Sequence, residues 1–267
     1  MRKLKVIALI PTFNHGIFLE DCLNRLVKLK PSFDKYIFFE NNSKDGTLKV
    51  IQRFNHPKEL IRMWFRNDAV KILGKHGNPY GAIGIARQYL LERARKLDPD
   101  YAIFIDDDIV ILDKNFIHRI TSRNQHIVGA PYLRPFPEGM YIASKWKRKG
   151  KKGIWFKSGC RGFQRTYVTS AGCMCLSRKV IQNREINFLP IIWAKEEDGK
   201  RASEDFGYCI RANKAGVKVH IDCTLRVGHY ATADDYKPWM VVKNDKGEVT
   251  GYVEFDYRKK TFIKKVD

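Results

Sequence analysis

The chain has 267 residues, 44% of them hydrophobic, enough for one globular domain with a small appended lobe. No apolar stretch approaches the ~18 residues a membrane span needs, and the six scattered cysteines lack zinc-finger spacing. Lys and Arg number 50 against 29 Asp and Glu, a net charge of +21 that predicts attraction to an anion: nucleic acid, phospholipid head groups or a phosphorylated substrate. Charge of both signs at this abundance also suits a protein from a hot environment.

The start, Met1 to Lys5 and then Val6 to Ile10, has the basic and apolar parts of a signal peptide. Its apolar run is too short, however, and Pro11-Thr12-Phe13-Asn14 is no small-residue cleavage site. Lys5 to Ile10 therefore reads as a first strand of a cytoplasmic protein. Cys173 and Cys175 sit two apart in a strand-like run and face the same way, and a reducing compartment fits the cysteines best. A loop from Pro11 to Gly16 leads into a helix with Ile17, Leu19, Cys22, Leu23, Leu26 and Val27 at helical spacing, stopped by Pro31. Lys35 to Phe39 is a second strand, ending in Glu40-Asn41-Asn42-Ser43. Asp45-Gly46-Thr47 opens a second helix, and Leu60 to Phe65 makes a third strand. A loop through Gly74, Gly77 and Gly81 feeds a helix around Ile85 to Leu97. Strands alternating with helices of this length predict an α/β fold on a mostly parallel sheet.

The fourth strand, Tyr101 to Ile105, runs straight into Asp106-Asp107-Asp108. Carboxylates at the carboxyl end of a buried strand stand where open α/β sheets bind ligands. Three adjacent aspartates repel one another unless a cation or a set of donors neutralises them. On an extended chain Asp106 and Asp108 point to one side, so they suit one hard divalent ion, Mn2+ or Mg2+, completed by substrate phosphates. The alternative is that they cap the next helix in water. Further on, Asp113 caps a helix through Ile120, and His126 to Tyr132 reads as a strand. Lys145 to Lys152 is a basic run that reads as a solvated loop. Tyr167 to Leu176 reads as a strand passing through Ser170-Ala171-Gly172, with a helix from Ser177 behind it. Ser203-Glu204-Asp205 opens a helix bearing Phe206, Cys209, Ile210 and Ala212, stopped by Gly216. A strand at Val217 to Ile221 and the stretch Val227-Gly228-His229 follow. From Lys237 a turn at Asn244-Asp245-Lys246-Gly247 separates two strand-like runs.

In order, Pro11-Thr12-Phe13-Asn14, Glu40 to Thr47, Ala86-Arg87, Asp106-Asp107-Asp108, Gly172 and Glu204-Asp205 resemble glycosyltransferases of GT-A fold, most closely family 2. The likeness covers roughly residues 5 to 230. It implies a Rossmann-like GT-A domain over 1–230, with a nucleotide-binding half, 1–110, and an acceptor half, 111–230. A small β-containing extension, 231–267, would pack on the same domain. It further implies a metal-dependent transfer from a nucleoside-diphosphate sugar, UDP- or GDP-linked, to a glycan, lipid-linked or protein acceptor.

By that resemblance Pro11, Thr12 and Phe13 line the base and ribose, with Asn42 nearby, and Glu40 accepts a hydrogen bond where the family more often has aspartate. Arg87 pairs with the diphosphate or with the aspartates. Asp106, Asp107 and Gly172 face the nucleotide-sugar. Asp106, Asp108 and His229 hold the metal. Asp205 is the catalytic base of an inverting displacement, with Glu204 orienting it or holding an acceptor hydroxyl, while Ser203 takes the capping role and frees both carboxylates. Each residue also has a plainer use: Thr12 and Glu40 cap turns, Arg87 lies on the surface, Gly172 marks a bulge, and His229 merely packs. A retaining course and a basic nucleic-acid-binding protein remain the rival readings, although aspartates repel phosphate unless metal intervenes. The basic run either closes over the donor or rests peripherally on an anionic membrane.

Overall fold

Seven consecutive buried residues, Val6–Thr12, form the strand (β1) from which the main sheet grows in both directions. The computed structural model describes residues 2–63, 80–132, 140–145, 154–157, 160–189, 203–225, 227–230, 239–243, 249–256 and 261–265. On one side of β1 lie Lys35–Glu40 (β2) and Lys58–Arg62 (β3), and on the other Tyr101–Ile105 (β4), all parallel. Continuous apolar runs in β1, β2 and β4 follow from this placement, because helices cover both faces. Beyond β4 come Cys173–Ser177 (β11), Ile127–Gly129 (β6), Val219–Asp222 (β12) and Phe163–Thr166 (β9), completing an eight-stranded order β3-β2-β1-β4-β11-β6-β12-β9. β11 and β9 run against the rest. The sheet is therefore mostly parallel, and its core divides into two clusters, one on each face.

Gly16–Leu26 (α1) buries Leu19, Cys22, Leu23 and Leu26, whereas Ile17, expected on the same face, is exposed. Thr47–Arg53 (α2) starts against it: a Cβ on Gly16 would lie 2.7 Å from the Thr47 amide, so the two helix starts meet only because residue 16 is glycine. Tyr80–Leu97 (α3) covers the other face, while Phe116–Thr121 (α4), Arg178–Gln182 (α5) and Glu204–Lys214 (α6) follow in the second half. Ile109–Ile111 (β5) pairs with Val227–His229 (β13) as a small separate ribbon. Met140–Lys145 (β7), Ile154–Lys157 (β8) and Val168–Thr169 (β10) form a three-stranded sheet, as do Trp239–Lys243 (β14), Val249–Asp256 (β15) and Thr261–Lys265 (β16). β14 and β15 pair as the hairpin anticipated from the tail.

Three expectations change. The strand read through Tyr167 to Leu176 breaks at Ser170–Gly172, because Ala171 N–H turns to Asp205 and Gly172 N–H to the Ser170 hydroxyl instead of a ladder partner. Ser203 makes no side-chain cap on α6. The cysteines are not all thiols, since Cys160, shortly before β9, and Cys223, directly after β12, form a disulfide. Among the described residues, no helix is long and apolar enough to cross a membrane.

Candidate active site

Parallel pairing brings the carboxyl ends of β1, β2 and β4 to one edge, with Thr12 opposite Glu40 in register. The loops leaving β1 and β2 are laced together there. Asn14 N–H donates to Ser43 Oγ at 3.0 Å, and Lys44 N–H donates to Asn14 Oδ1 at 2.7 Å. Asn14 and Asn42 both take left-handed backbone, φ 54° and 51°, which asparagine tolerates. Pro11 is buried within β1, and Phe13 is half exposed beyond it. Glu40 is wholly buried and uses both oxygens locally: one accepts from Ser43 N–H and the other from Arg62 Nε at 3.0 Å. Glu40 thus ties the loop that follows β2 to the end of β3.

The aspartates do not continue an extended strand. Asp106 N–H bonds Gly172 O at 2.9 Å, and Ile109 N–H bonds Asp106 O at 3.0 Å, which closes a tight turn into β5. The turn overrides the alternation expected of a strand and gives each carboxylate its own partner. Asp106 receives Arg87 Nη2 on both oxygens at 2.8 Å. Asp107 receives the Thr12 hydroxyl at 2.5 Å and His15 Nδ1 at 2.8 Å. Asp108 faces His229 Nε2 at 3.3 Å. The structure therefore groups His15, Asp107 and Asp108, whose ligand atoms lie within 4.8 Å of one another, and leaves the Asp106 carboxylate outside that group.

Burial drives Asp107 up to about 6, against the hydrogen bond and charge of His15. Burial also opposes a charged His15, but Asp107, by hydrogen bond and charge, and Asp108 with Asp106 raise it to about 9. Asp108 and His229 likewise move apart in spite of burial: His229 holds Asp108 below the usual carboxylate range, and Asp108 lifts His229.

Arg87, read as the start of a polar face, is 3% exposed. Besides Asp106 it holds Glu204 Oε1 at the head of α6. Glu204 is pushed up to about 8 by burial and by Asp205 next to it, which outweigh a guanidinium shared with Asp106. Its Oε2 is buried without a hydrogen-bond partner. Asp205 is held differently. Its Oδ1 accepts from the Ser203 hydroxyl and from Phe206 N–H at 2.8 Å, and its Oδ2 accepts a long bond, 3.3 Å, from Ala171 N–H. Ser203 thus fixes Asp205 instead of replacing it as cap.

The space beside Gly172 is already filled, since a Cβ there would lie 2.1 Å from Tyr132 Oη and 2.7 Å from Asp106 Oδ2. Glycine is needed for packing at this point. Tyr132 also shares a 2.5 Å hydrogen bond with Ser170 Oγ, and its ring lies 4.9 Å from that of His229. Neither Tyr132 nor His15 was marked by the sequence. His15 had one available signal, its place directly after the Pro11–Asn14 loop, whereas Tyr132 had none. The Gly74 and Gly77 loop and residues 146–152 of the basic run lie outside the described residues. The flanking residues Lys145 and Ile154 pair at the end of the β7–β8 hairpin that points away from Ser170–Gly172, because β7 runs antiparallel to β10.

With this geometry in place, comparison with known proteins decides the family. The model for Glycosyl transferase family 2 matches residues 7–184, two thirds of the chain. The chain belongs to glycosyltransferase family 2. No curated protein matches this glycosyltransferase in sequence. Among solved structures, A197 from STIV is similar at TM-score 0.52 and 12% identity, covering 99% of this chain and 95% of that one. Staphylococcus aureus TarS 1-349 is similar at TM-score 0.51 and 16% identity, covering 82% of this glycosyltransferase and 58% of that chain. A longer TarS chain gives TM-score 0.50 at 16% identity, with 35% of it covered. At these identities the likeness is one of fold, and the mixed α/β sheet with flanking helices is the GT-A arrangement.

Proposed function

We propose that the enzyme transfers a sugar from a nucleoside-diphosphate sugar to an acceptor hydroxyl or lipid phosphate, inverting the anomeric carbon with the aid of a divalent cation. The observation that carries this reading is the convergence of Asp106–Asp108 with Glu204–Asp205 at the carboxyl edge of the sheet. Ligands of open α/β sheets bind at that edge.

Five carboxyl groups meet there, with Arg87 shared by Asp106 and Glu204 and with His15 and His229 set against Asp107 and Asp108. A bound diphosphate would bring negative charge beyond what these groups neutralise among themselves, and a cation would offset it. The donor set fits a divalent ion: Asp107, Asp108 and His15 offer converging ligand atoms, and His229 adjoins Asp108. Mn2+ or Mg2+ held there would act as a Lewis acid toward the departing diphosphate. Asp106, read from the sequence as a ligand, is better suited to hold Arg87.

Asp205 serves as base through Oδ2, its less heavily bonded oxygen. As the acceptor oxygen bonds to the anomeric carbon, its proton passes to Asp205 and the bond from that carbon to the diphosphate breaks. Donors on Oδ1 from Ser203 and Phe206 keep the carboxylate oriented. Pro11, Thr12, Phe13 and Asn42 surround the place for the nucleoside, UDP or GDP being the first candidates.

Calorimetric titration with UDP, GDP, CDP and dTDP, each with Mn2+ and again with chelator, tests the donor site. Binding of one nucleotide that weakens at least tenfold in chelator is expected. No binding by any of the four would sink the reading. NMR of the product anomer then tests inversion.

A further inference from the structure

We infer that Arg87 is a positioning residue that ties the donor strand end to the helix carrying the catalytic carboxylate, and that it touches neither diphosphate nor metal. The inference rests on the proposed transfer reaction for its catalytic meaning, and on geometry for the tie itself. Arg87 lies on α3, which packs on the sheet face shared by β4 and α6. Its side chain is 4% exposed and reaches Asp106, 19 residues away, and Glu204, 117 residues away. Both Asp106 oxygens are taken by Nη2, and one Glu204 oxygen by Nη1.

A planar guanidinium can span two carboxylates in fixed directions, which an ammonium cannot. Since Asp106 follows β4 and Glu204 opens α6, one side chain sets the distance between the strand end and the base that neighbours Glu204. Both Nη groups are committed to these two acids and Nε is buried without a partner, so the guanidinium is enclosed before any donor binds. Removing it would leave the buried Glu204 and the partly buried Asp106 without their shared partner. The positive neighbour would be lost from both halves of the site at once.

The test uses the full chain. Turnover is read as release of nucleoside diphosphate from nucleotide-sugars, with water as the acceptor. Affinity is read by titration with whichever of UDP, GDP, CDP or dTDP the wild type binds. Arg87→Met is expected to lower turnover at least 100-fold while the diphosphate Kd stays within about twofold. Arg87→Lys should remain at least tenfold impaired, because lysine keeps the charge and loses the span. A tenfold weaker Kd with turnover per bound donor retained would overturn the inference and make Arg87 a donor contact. Full activity in Arg87→Lys would also overturn it.

A second measurement needs no activity. Arg87→Met should lower Tm, and the charge-neutral triple variant R87M/D106N/E204Q should regain at least half of that loss. If the triple is as unstable as, or less stable than, the single variant, Arg87 is packing and not a tie. If wild type binds no nucleoside diphosphate, the transfer reading fails, and this Tm comparison still decides whether the tie exists. Should Arg87→Met fail to fold, recovery of folded protein in the triple supports the tie, and failure of both overturns it.

Discussion

At the amino edge of the sheet Arg2 reaches Asp100, Lys3 reaches Asp34 and Arg178 reaches Asp98, with side-chain exposures of 73% and 18%, 78% and 26%, and 47% and 43%. At the carboxyl edge Arg87 meets Asp106 and Glu204 with exposures of 4%, 22% and 4%. The residue types are the same, and water makes the difference. Exposed pairs are screened and each adds at most about 1 kcal/mol. The buried set cannot relax into solvent, so each carboxylate must share a donor, hold a proton or await a ligand. One edge fastens the chain, and the other keeps charge available for chemistry.

The contrast is broken most sharply at Asp205. Asp205→Asn should cut turnover by about 10²–10⁴-fold, the range of a lost general base, with nucleotide affinity nearly intact. Near-normal turnover would remove the base assignment.

Next in size is the pH response of Glu204. Folding raises it from 4.5 to about 8, so across that interval the folded state keeps a proton that the unfolded chain releases. Stability therefore falls as pH rises toward 8. Glu204→Gln should flatten that decline, seen as a gain of a few degrees in Tm over wild type at pH 9 compared with pH 5. An unchanged difference between the two pH values would count against a strained carboxylate.

His15 gives a smaller effect in a higher window. Its value rises from 6.5 to about 9, so its stabilisation is full below 6.5 and lost as pH passes through 9. His15→Asn, measured in chelator, should remove the slope between those values and leave the profile below pH 6 alone. The least effect belongs to the amino edge: Arg178→Gln should change stability by no more than about 0.5 kcal/mol at any pH from 5 to 9. A larger loss would erase the distinction between the edges.

Much of this was legible in the chain itself, for reasons that differ by residue. Buried parallel strands carry unbroken apolar runs, so Val6–Ile10, Lys35–Phe39 and Tyr101–Ile105 announced themselves, and the acids at their ends marked the working edge. The Glu204–Asp205 pair at the start of a helix was visible in the same way. Partner choice was not. Whether Asp106 and Asp108 share a side depends on a turn closed by Ile109 N–H, which no alternation rule encodes. Arg87 looked like a polar-face residue because its two partners lie 19 and 117 positions away. Tyr132 fills the notch beside Gly172, a fit decided by three separate segments. Expected thiols became a disulfide through the approach of Cys160 and Cys223, which their spacing did not suggest.

That disulfide has a practical consequence. It joins positions 63 residues apart and makes the stretch between them a covalent ring that contains β9, β10, β11, α5, α6 and β12. Glu204 and Asp205 lie inside the ring, while Arg87 and the three aspartates lie outside it. A single protease cut within the ring would leave one connected molecule on a non-reducing gel and two pieces after thiol treatment. A cut outside the ring would release a fragment under either condition. The enzyme thus carries its own marker for whether a nick has fallen in the segment that bears the base.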